Sequence, residues 1–382
     1  MAYWELIDWT IVDAYYNIAL SLSFFILMGL MYVIGIRGYR ANNRYGGVSS
    51  MLCGACFLIF GVYNSVYRFY PYPYNGFMVW FIGMNVILNF SFYRVIKRVM
   101  KKMKTEGEGA KKKSVLRNYI FRMTKEDPYV TDIPFKMELI RKTFHFSGLL
   151  LLLGFFGIII IPPVTQIIND SVIVLIHQVE PSYNVLWGDI ANYPYTFRDP
   201  QALIDLTMMG IMGSLFFAII SDIIRVLRGP EYSLFNFITK SMLRNKERNA
   251  AGPQVYIITG FMFSYMLYMA GLLNIFAYFA GILIACFSDA AAALIGRRYG
   301  KHKVHHRLRE PKSVEGFLAG VIVAYIIGFI FLGPIYAIVG AVIFFCTDYF
   351  PAFTADNITN PIFIPIGFQI MIGILGLPIG WF

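Results

Sequence analysis

Long apolar runs separated by short polar intervals dominate this 382-residue chain. Ten such runs can be traced, at 12–36, 47–67, 77–93, 143–166, 203–224, 254–273, 275–296, 314–333, 335–350 and 358–381. Several reach the ~18–20 residues that a helix needs to cross ~30 Å of hydrocarbon. The pattern predicts an all-α fold, a polytopic membrane bundle of about ten transmembrane helices, with the sixth through ninth joined by tight turns. No internal repeat is visible.

The polar intervals are not equivalent. With the N-terminus outside, the segments 37–46, 94–142, 225–253, 297–313 and 351–357 all fall inside, and they hold 31 of the 33 Lys and Arg residues. Only Arg68 and Arg198 remain on the other side, which is the asymmetry of the positive-inside rule. The basic stretch with Lys97, Arg98, Lys101, Lys102, Lys104 and Lys111–Lys113 reads as a cytoplasmic linker. It divides the chain into an N-terminal three-helix unit (1–96), a basic linker (97–135) and a seven-helix membrane domain (136–382). The outer interval 167–202 carries Trp187, Tyr193 and Tyr195, suited to an interface, and a glycosylation sequon at Asn169. The first residues lack a basic stretch before the apolar run, so the N-terminus is expected to be retained rather than cleaved.

Composition sharpens this reading. The chain is 58% hydrophobic and 14% charged, which excludes a soluble fold. Its net charge of +11 sits in loops beside membrane helices, pointing to anionic lipid and phosphorylated substrates rather than nucleic acid. Cys53, Cys56, Cys286 and Cys346 lie in apolar runs as small hydrophobes, and the lone Cys53–Cys56 pair lacks the partners of a zinc or redox site.

Ionisable residues inside membrane helices are costly and therefore functional candidates. Asp289 lies two turns from the inner end of its span, with Ala292, Ala293, Gly296 and Gly300 on the same helical face. That face lets a ligand approach the carboxylate, and it would equally serve close helix packing. The following loop gathers Arg297, Arg298, Lys301, His302, Lys303, His305, His306, Arg307, Arg309 and Lys312, ten bases in sixteen residues, more than topology needs. Ser313 can cap the next helix, whose N-terminus beside Lys312 is a natural phosphate site. Asp222 and Arg225, spaced i, i+3, form either a helix-end ion pair or part of a nucleotide site.

The run Ser288–Gly320, with Asp289, Gly296, Arg297, Gly300, Lys312, Ser313, Glu315 and Gly316, resembles the signature shared by CTP-dependent polyprenol kinases and phosphatidate cytidylyltransferases. Glu138, Arg141, Lys142 and His145 resemble an E-x-x-R-K-x-x-H segment of that family, and Arg244 with Glu247 its R-x-x-E segment. Asp356–Asn357 followed by Pro361 is similar to the D-N-x-x-x-P element of dolichol, phytol and CTP-dependent diacylglycerol kinases. Ser288 stands where many such kinases have glycine, and the G-H-G-G-x-x-D-R ending of the cytidylyltransferases is missing. The likeness covers roughly residues 136 to 382.

The resemblance implies a CTP-dependent lipid-alcohol kinase acting on a polyprenol such as dolichol, with CTP as donor and Mg²⁺ as cofactor. It assigns catalysis to Asp289, His145 and Lys312, with His145 either ordering the nucleotide or accepting the hydroxyl proton. It assigns nucleotide binding to Arg141, Lys142, Gly296, Arg297, Gly300, Lys301, Ser313, Glu315, Gly316 and Asn357, and metal binding to Asp289 and Asp356. The expected setting is a prokaryotic plasma membrane or the endoplasmic reticulum, with the site on the cytoplasmic side and membrane lipids as partners. A phosphatidate cytidylyltransferase and a transporter of anionic substrates are the alternatives.

Overall fold

The computed structural model describes residues 9–70, 74–106, 114–124, 129–130, 135, 139, 142, 200–239, 243–244, 247–306, 309–350 and 354–380. Among them, eleven α-helices follow one another as α1 (Trp9–Arg40), α2 (Arg44–Tyr67), α3 (Tyr74–Glu106), α4 (Val115–Thr124), α5 (Pro200–Arg228), α6 (Leu234–Thr239), α7 (Pro253–Met269), α8 (Ile275–Tyr299), α9 (Val314–Leu332), α10 (Pro334–Tyr349) and α11 (Asp356–Leu375). Strands are few. β1 (Tyr129–Val130) pairs in parallel with β2 (Leu243–Arg244), and β3 (Lys303–His306) forms an antiparallel hairpin with β4 (Arg309–Ser313). The fold is an all-α polytopic membrane bundle.

Seven helices (α1, α2, α3, α5, α8, α9 and α11) are long and apolar enough to cross a membrane, and α10 is a shorter apolar helix of 16 residues. With α7, helices occupy nine of the ten expected runs among the described residues. The fourth, 143–166, lies outside them, as do Asn169, Trp187, Tyr193, Tyr195 and Arg198.

Two boundaries differ from expectation. The third apolar run ends near residue 93, yet α3 continues to Glu106, because Lys, Arg and Met are good helix formers and leaving hydrocarbon does not end a helix. At 1.5 Å per residue its 33 residues reach about 50 Å. The expected linker also contains α4, whose Tyr119, Ile120 and Met123 pack with Ile96, Phe92, Tyr232 and Phe237. The Tyr119 hydroxyl donates to the carbonyls of Pro230 (3.0 Å) and Ser233 (3.1 Å). Burial pushes its pKa well above the ordinary value, so it stays a donor.

The N-terminal helices do not stand apart. One aromatic core joins Phe24, Phe57, Phe60 and Phe69 to Phe216, Tyr265 and Tyr278, with ring centroids 5.7 Å apart for Phe24–Phe216 and 5.9 Å for Phe69–Tyr265. A second core, with Ala277, Ala280, Ile284, Ala324, Phe344 and Phe368, joins α8–α11. In lipid, close packing of this kind is what holds helices together. At the end of the bundle away from the basic loops, Arg68 donates to Asp13, whose other oxygen accepts from Asn75 Nδ2 at 2.6 Å. This pairing leaves Arg68 no isolated charge there.

Candidate active site

The loops between α1 and α2, α6 and α7, α8 and α9, and α10 and α11 all lie at one end of the bundle, and Lys142, Asp289, Lys312 and Asp356 gather there. Lys142 Nζ donates to Asp289 Oδ2 across 147 positions of sequence. Lys142 is only 6% exposed, so losing that carboxylate would leave a buried group unpaired. Close by, Lys312 Nζ donates to Asp348 Oδ1 and, at 3.1 Å, to the Asp348 carbonyl, and stands 3.9 Å from Asp356 Oδ2. Asp289 and Asp356 are both near enough to interact electrostatically with Asp348. Among the described residues, three carboxylates thus gather around two ammonium groups.

Asp348 was not among the residues singled out from sequence. It is 2% exposed, and its Oδ2 is buried with no hydrogen-bond partner among the described residues. The buried Ser288 hydroxyl, next to Asp289, is equally unpartnered there. The signal for Asp348 was available, since it is a carboxylate inside the apolar run 335–350.

The β3–β4 hairpin explains how Lys312 arrives. It pairs Val304 with Lys312 and Lys303 with Ser313, folding the basic loop back onto the end of α8. Ser313 then caps α9, its Oγ accepting from Gly316 N at 3.2 Å. Gly296, Gly300 and Gly316 let α8 and α9 touch here. A Cβ on Gly316 would lie 2.4 Å from the Ala292 carbonyl, and one on Gly296 or Gly300 would meet Ser313 at 2.7 or 2.5 Å. The small-residue face read from sequence is therefore a helix contact that sets the height of Lys312 and Ser313.

The remaining candidates form a rim or a frame. Arg297, Arg298 and Lys301 are exposed, while Glu315 Oε1 meets His302 Nδ1 at 2.7 Å and ties α9 to the hairpin. Asn357 is half-buried and donates its N–H to Asp356 Oδ1 at 3.1 Å. The Pro361 carbonyl accepts from Ser264 Oγ at 2.5 Å, seating α11 on α7. Asp222 and Arg225 are a buried ion pair. Arg225 also donates to the carbonyls of Glu247 (3.0 Å) and Ala250 (2.6 Å), and Asp222 accepts from Gly252 N at 2.5 Å, so the pair clamps the turn before α7. Glu138, Arg141, His145 and Arg307 lie outside the described residues, and Arg244, His305, His306 and Arg309 are described in their backbones alone. No three His, Cys, Asp or Glu side chains among the described residues form a ready metal cage.

Beside Lys312 a cavity of about 270 Å³ opens between α9 and α10, lined by Val304, Val314, Phe317, Phe345 and Tyr349 together with Lys312 and Ser313. Its aromatic wall is continuous, with Phe317–Phe345 centroids 4.9 Å apart and Phe345 stacked on Tyr349 at 5.4 Å. Residues 135–347, more than half of the chain, match the cytidylyltransferase family. The chain belongs to that family. No curated protein and no solved structure matches it. As a member of the cytidylyltransferase family, it is a CTP-using transferase embedded in a membrane. The matching segment includes Lys142, Asp289, Lys312 and the three packed glycines, and stops one residue before Asp348.

Proposed function

We propose that the protein is a CTP-dependent lipid-alcohol kinase that phosphorylates the terminal hydroxyl of a long isoprenoid alcohol such as dolichol, with its site on the cytoplasmic side. The observation that carries this reading is the approach of Asp356 to Lys312. It draws the Asp356–Asn357–Pro361 element, which resembles the kinases rather than the cytidylyltransferases, to the lysine that ends the basic loop. Phosphoryl transfer asks the protein mainly for positioning and charge stabilisation. The acceptor oxygen forms a bond to the γ-phosphorus as the bond to the bridging oxygen breaks, CDP leaves, and the hydroxyl proton passes to a base.

Each part of the site suits such a task. Lys312 and Lys142 hold phosphate oxygens, Arg141, Arg297 and Lys301 add charge at the rim, and the N-terminus of α9 at Ser313–Gly316 offers N–H groups. Gly296 and Gly300 keep that terminus close to α8. His145, three residues beyond Lys142, either orders the nucleotide or receives the proton. The donor chemistry fits Mg²⁺, because Asp289, Asp356 and Asp348 present hard oxygens and Asp348 Oδ2 is a buried acceptor without a partner among the described residues. Bound there, Mg²⁺ would neutralise phosphate charge. The aromatic cavity is smaller than the ~300–1,000 Å³ that encloses a whole drug-sized ligand, so it takes the first carbons of the lipid beside the hydroxyl.

The second reading, a phosphatidate cytidylyltransferase, is favoured by the family description itself. Two labels on CTP separate the readings. With purified protein, Mg²⁺ and a panel of dolichol, undecaprenol, phytol, diacylglycerol and phosphatidate, a kinase moves the γ-phosphate label into the lipid and releases CDP. A cytidylyltransferase moves the cytosine label into the lipid and releases the γ label as pyrophosphate. Cytosine in the lipid fraction would falsify the kinase reading, and running the assay with ATP tests the donor.

A further inference from the structure

We infer that Ser49, on α2 and outside the family-matching segment, is a positioning residue for Asp356, so that the N-terminal helices form part of the catalytic frame. This rests on the reading that Asp356 acts in the site. Ser49 is fully buried, donates its hydroxyl proton to the Tyr45 carbonyl at 2.8 Å, and accepts from the Ala355 N–H at 2.8 Å. Ala355 is the residue that opens α11, and its carbonyl accepts from Ile358 N (3.1 Å) and Thr359 N (3.2 Å). Both backbone groups of the residue before Asp356 are therefore fixed, one by the helix and one by Ser49.

Ala355, at the N-cap position of α11, has no side chain that could cap the helix. The direction in which Asp356 leaves the preceding loop is set from 306 residues away. A buried N–H that lost this acceptor would be left unpaired, which is costly enough to shift a short loop. The same end of α2 grips the site at a second place. Asn43 Nδ2 donates to the Arg248 carbonyl at 2.8 Å, the Ser50 hydroxyl accepts from Ala251 N at 3.2 Å, and Ser50 and Tyr256 share a hydrogen bond at 3.1 Å. That turn is the one clamped from behind by Arg225 and Asp222. The α1–α2 hairpin thus braces two loops around the carboxylate–lysine cluster.

The test uses the full chain in lipid nanodiscs. Ser49→Ala removes the acceptor, and Ala355→Pro removes the donor at a position whose φ of −67° suits proline. Ser65→Ala, whose hydroxyl bonds only within α2, is the control. Hydrogen exchange at Ala355 reads the bond directly and is expected to rise about five- to tenfold in Ser49→Ala, the effect of one lost hydrogen bond on local opening. The dissociation constant for Mn²⁺ in the presence of CTP, read by electron paramagnetic resonance, is expected to rise by a similar factor in both variants and no further in the double variant. If Ser49→Ala does not fold, Ala355→Pro reads the same bond from its other end. Unchanged exchange would show that the bond does not govern the loop, and faster exchange with unchanged Mn²⁺ affinity would reduce Ser49 to a structural role. Either result overturns the inference, and neither depends on which lipid the enzyme modifies.

Discussion

Replacing Asp348 with asparagine keeps the side chain's shape and removes one charge from the carboxylate–lysine cluster. The Asp348 side chain is 2% exposed and that of Lys312 32%, so the pair lies between exposed ion pairs, worth ~0–1 kcal/mol, and fully buried ones, whose breakage costs ~3–5 kcal/mol. The Asp348 carbonyl at 3.1 Å and Asp356 at 3.9 Å would still hold the ammonium in part. A loss of about 2 kcal/mol in the tethering of Lys312 follows, and at ~1.4 kcal/mol per decade kcat/KM for CTP should fall roughly 10- to 100-fold. The assay is transfer of the γ label to a prenol in nanodiscs, with kcat and KM for CTP measured separately. Lys312→Met should be worse, and the double variant should be no worse than Lys312→Met, since the two residues act as a unit. Wild-type kcat/KM in Asp348→Asn, or losses that simply add in the double variant, would refute the coupling.

Asp289→Asn should abolish activity, because an amide is a weak Mg²⁺ ligand, and should cost ~1–3 kcal/mol of stability by leaving Lys142 poorly paired; adding Lys142→Met should restore the melting temperature but not turnover. Gly316→Ala should lower the melting temperature by forcing α8 and α9 apart, at ~1–3 kcal/mol for an overpacked contact, because its Cβ would lie 2.4 Å from the Ala292 carbonyl; thermal unfolding indistinguishable from wild type would count against a tight crossing. Phe345→Ala, in the cavity wall, should raise KM for the lipid alcohol while leaving KM for CTP unchanged, and the reverse pattern would assign the cavity to the nucleotide.

The membrane helices were legible because apolar runs report membrane depth directly. What they do not report is where a helix stops once it has left the membrane. Hence α3 outruns its predicted end by thirteen residues, from 93 to 106, and α4 and the β3–β4 hairpin form where the pattern predicts only loop. The basic loop, Asp289 and Ser313 were visible as local patterns. The pairings that organise them were not, since Lys142–Asp289 and Lys312–Asp348 join residues 147 and 36 apart. Asp348 sits in the last turn of an apolar run, where one carboxylate reads as the edge of a span. Ser49 carried no signal at all. A serine in a membrane helix usually bonds its own backbone, as Ser65 does, and only the fold shows that Ala355 also leans on Ser49.

α10 has 16 residues and so reaches about 24 Å, short of the ~30 Å of hydrocarbon around it. Bilayers thin locally beside a helix that cannot span them. If the bilayer thins beside α10, Asp348, in its last turn, and Lys312, which Asp348 holds, would lie where the surface of the membrane bends inward. If the substrate is a prenol, as proposed, a hydroxyl riding at such a surface would be brought toward Lys312 by the lipid itself, and little of the long chain would need to leave the bilayer. On this view the host membrane would act as a working part of the enzyme, and turnover should change with bilayer thickness in vesicles of graded acyl-chain length.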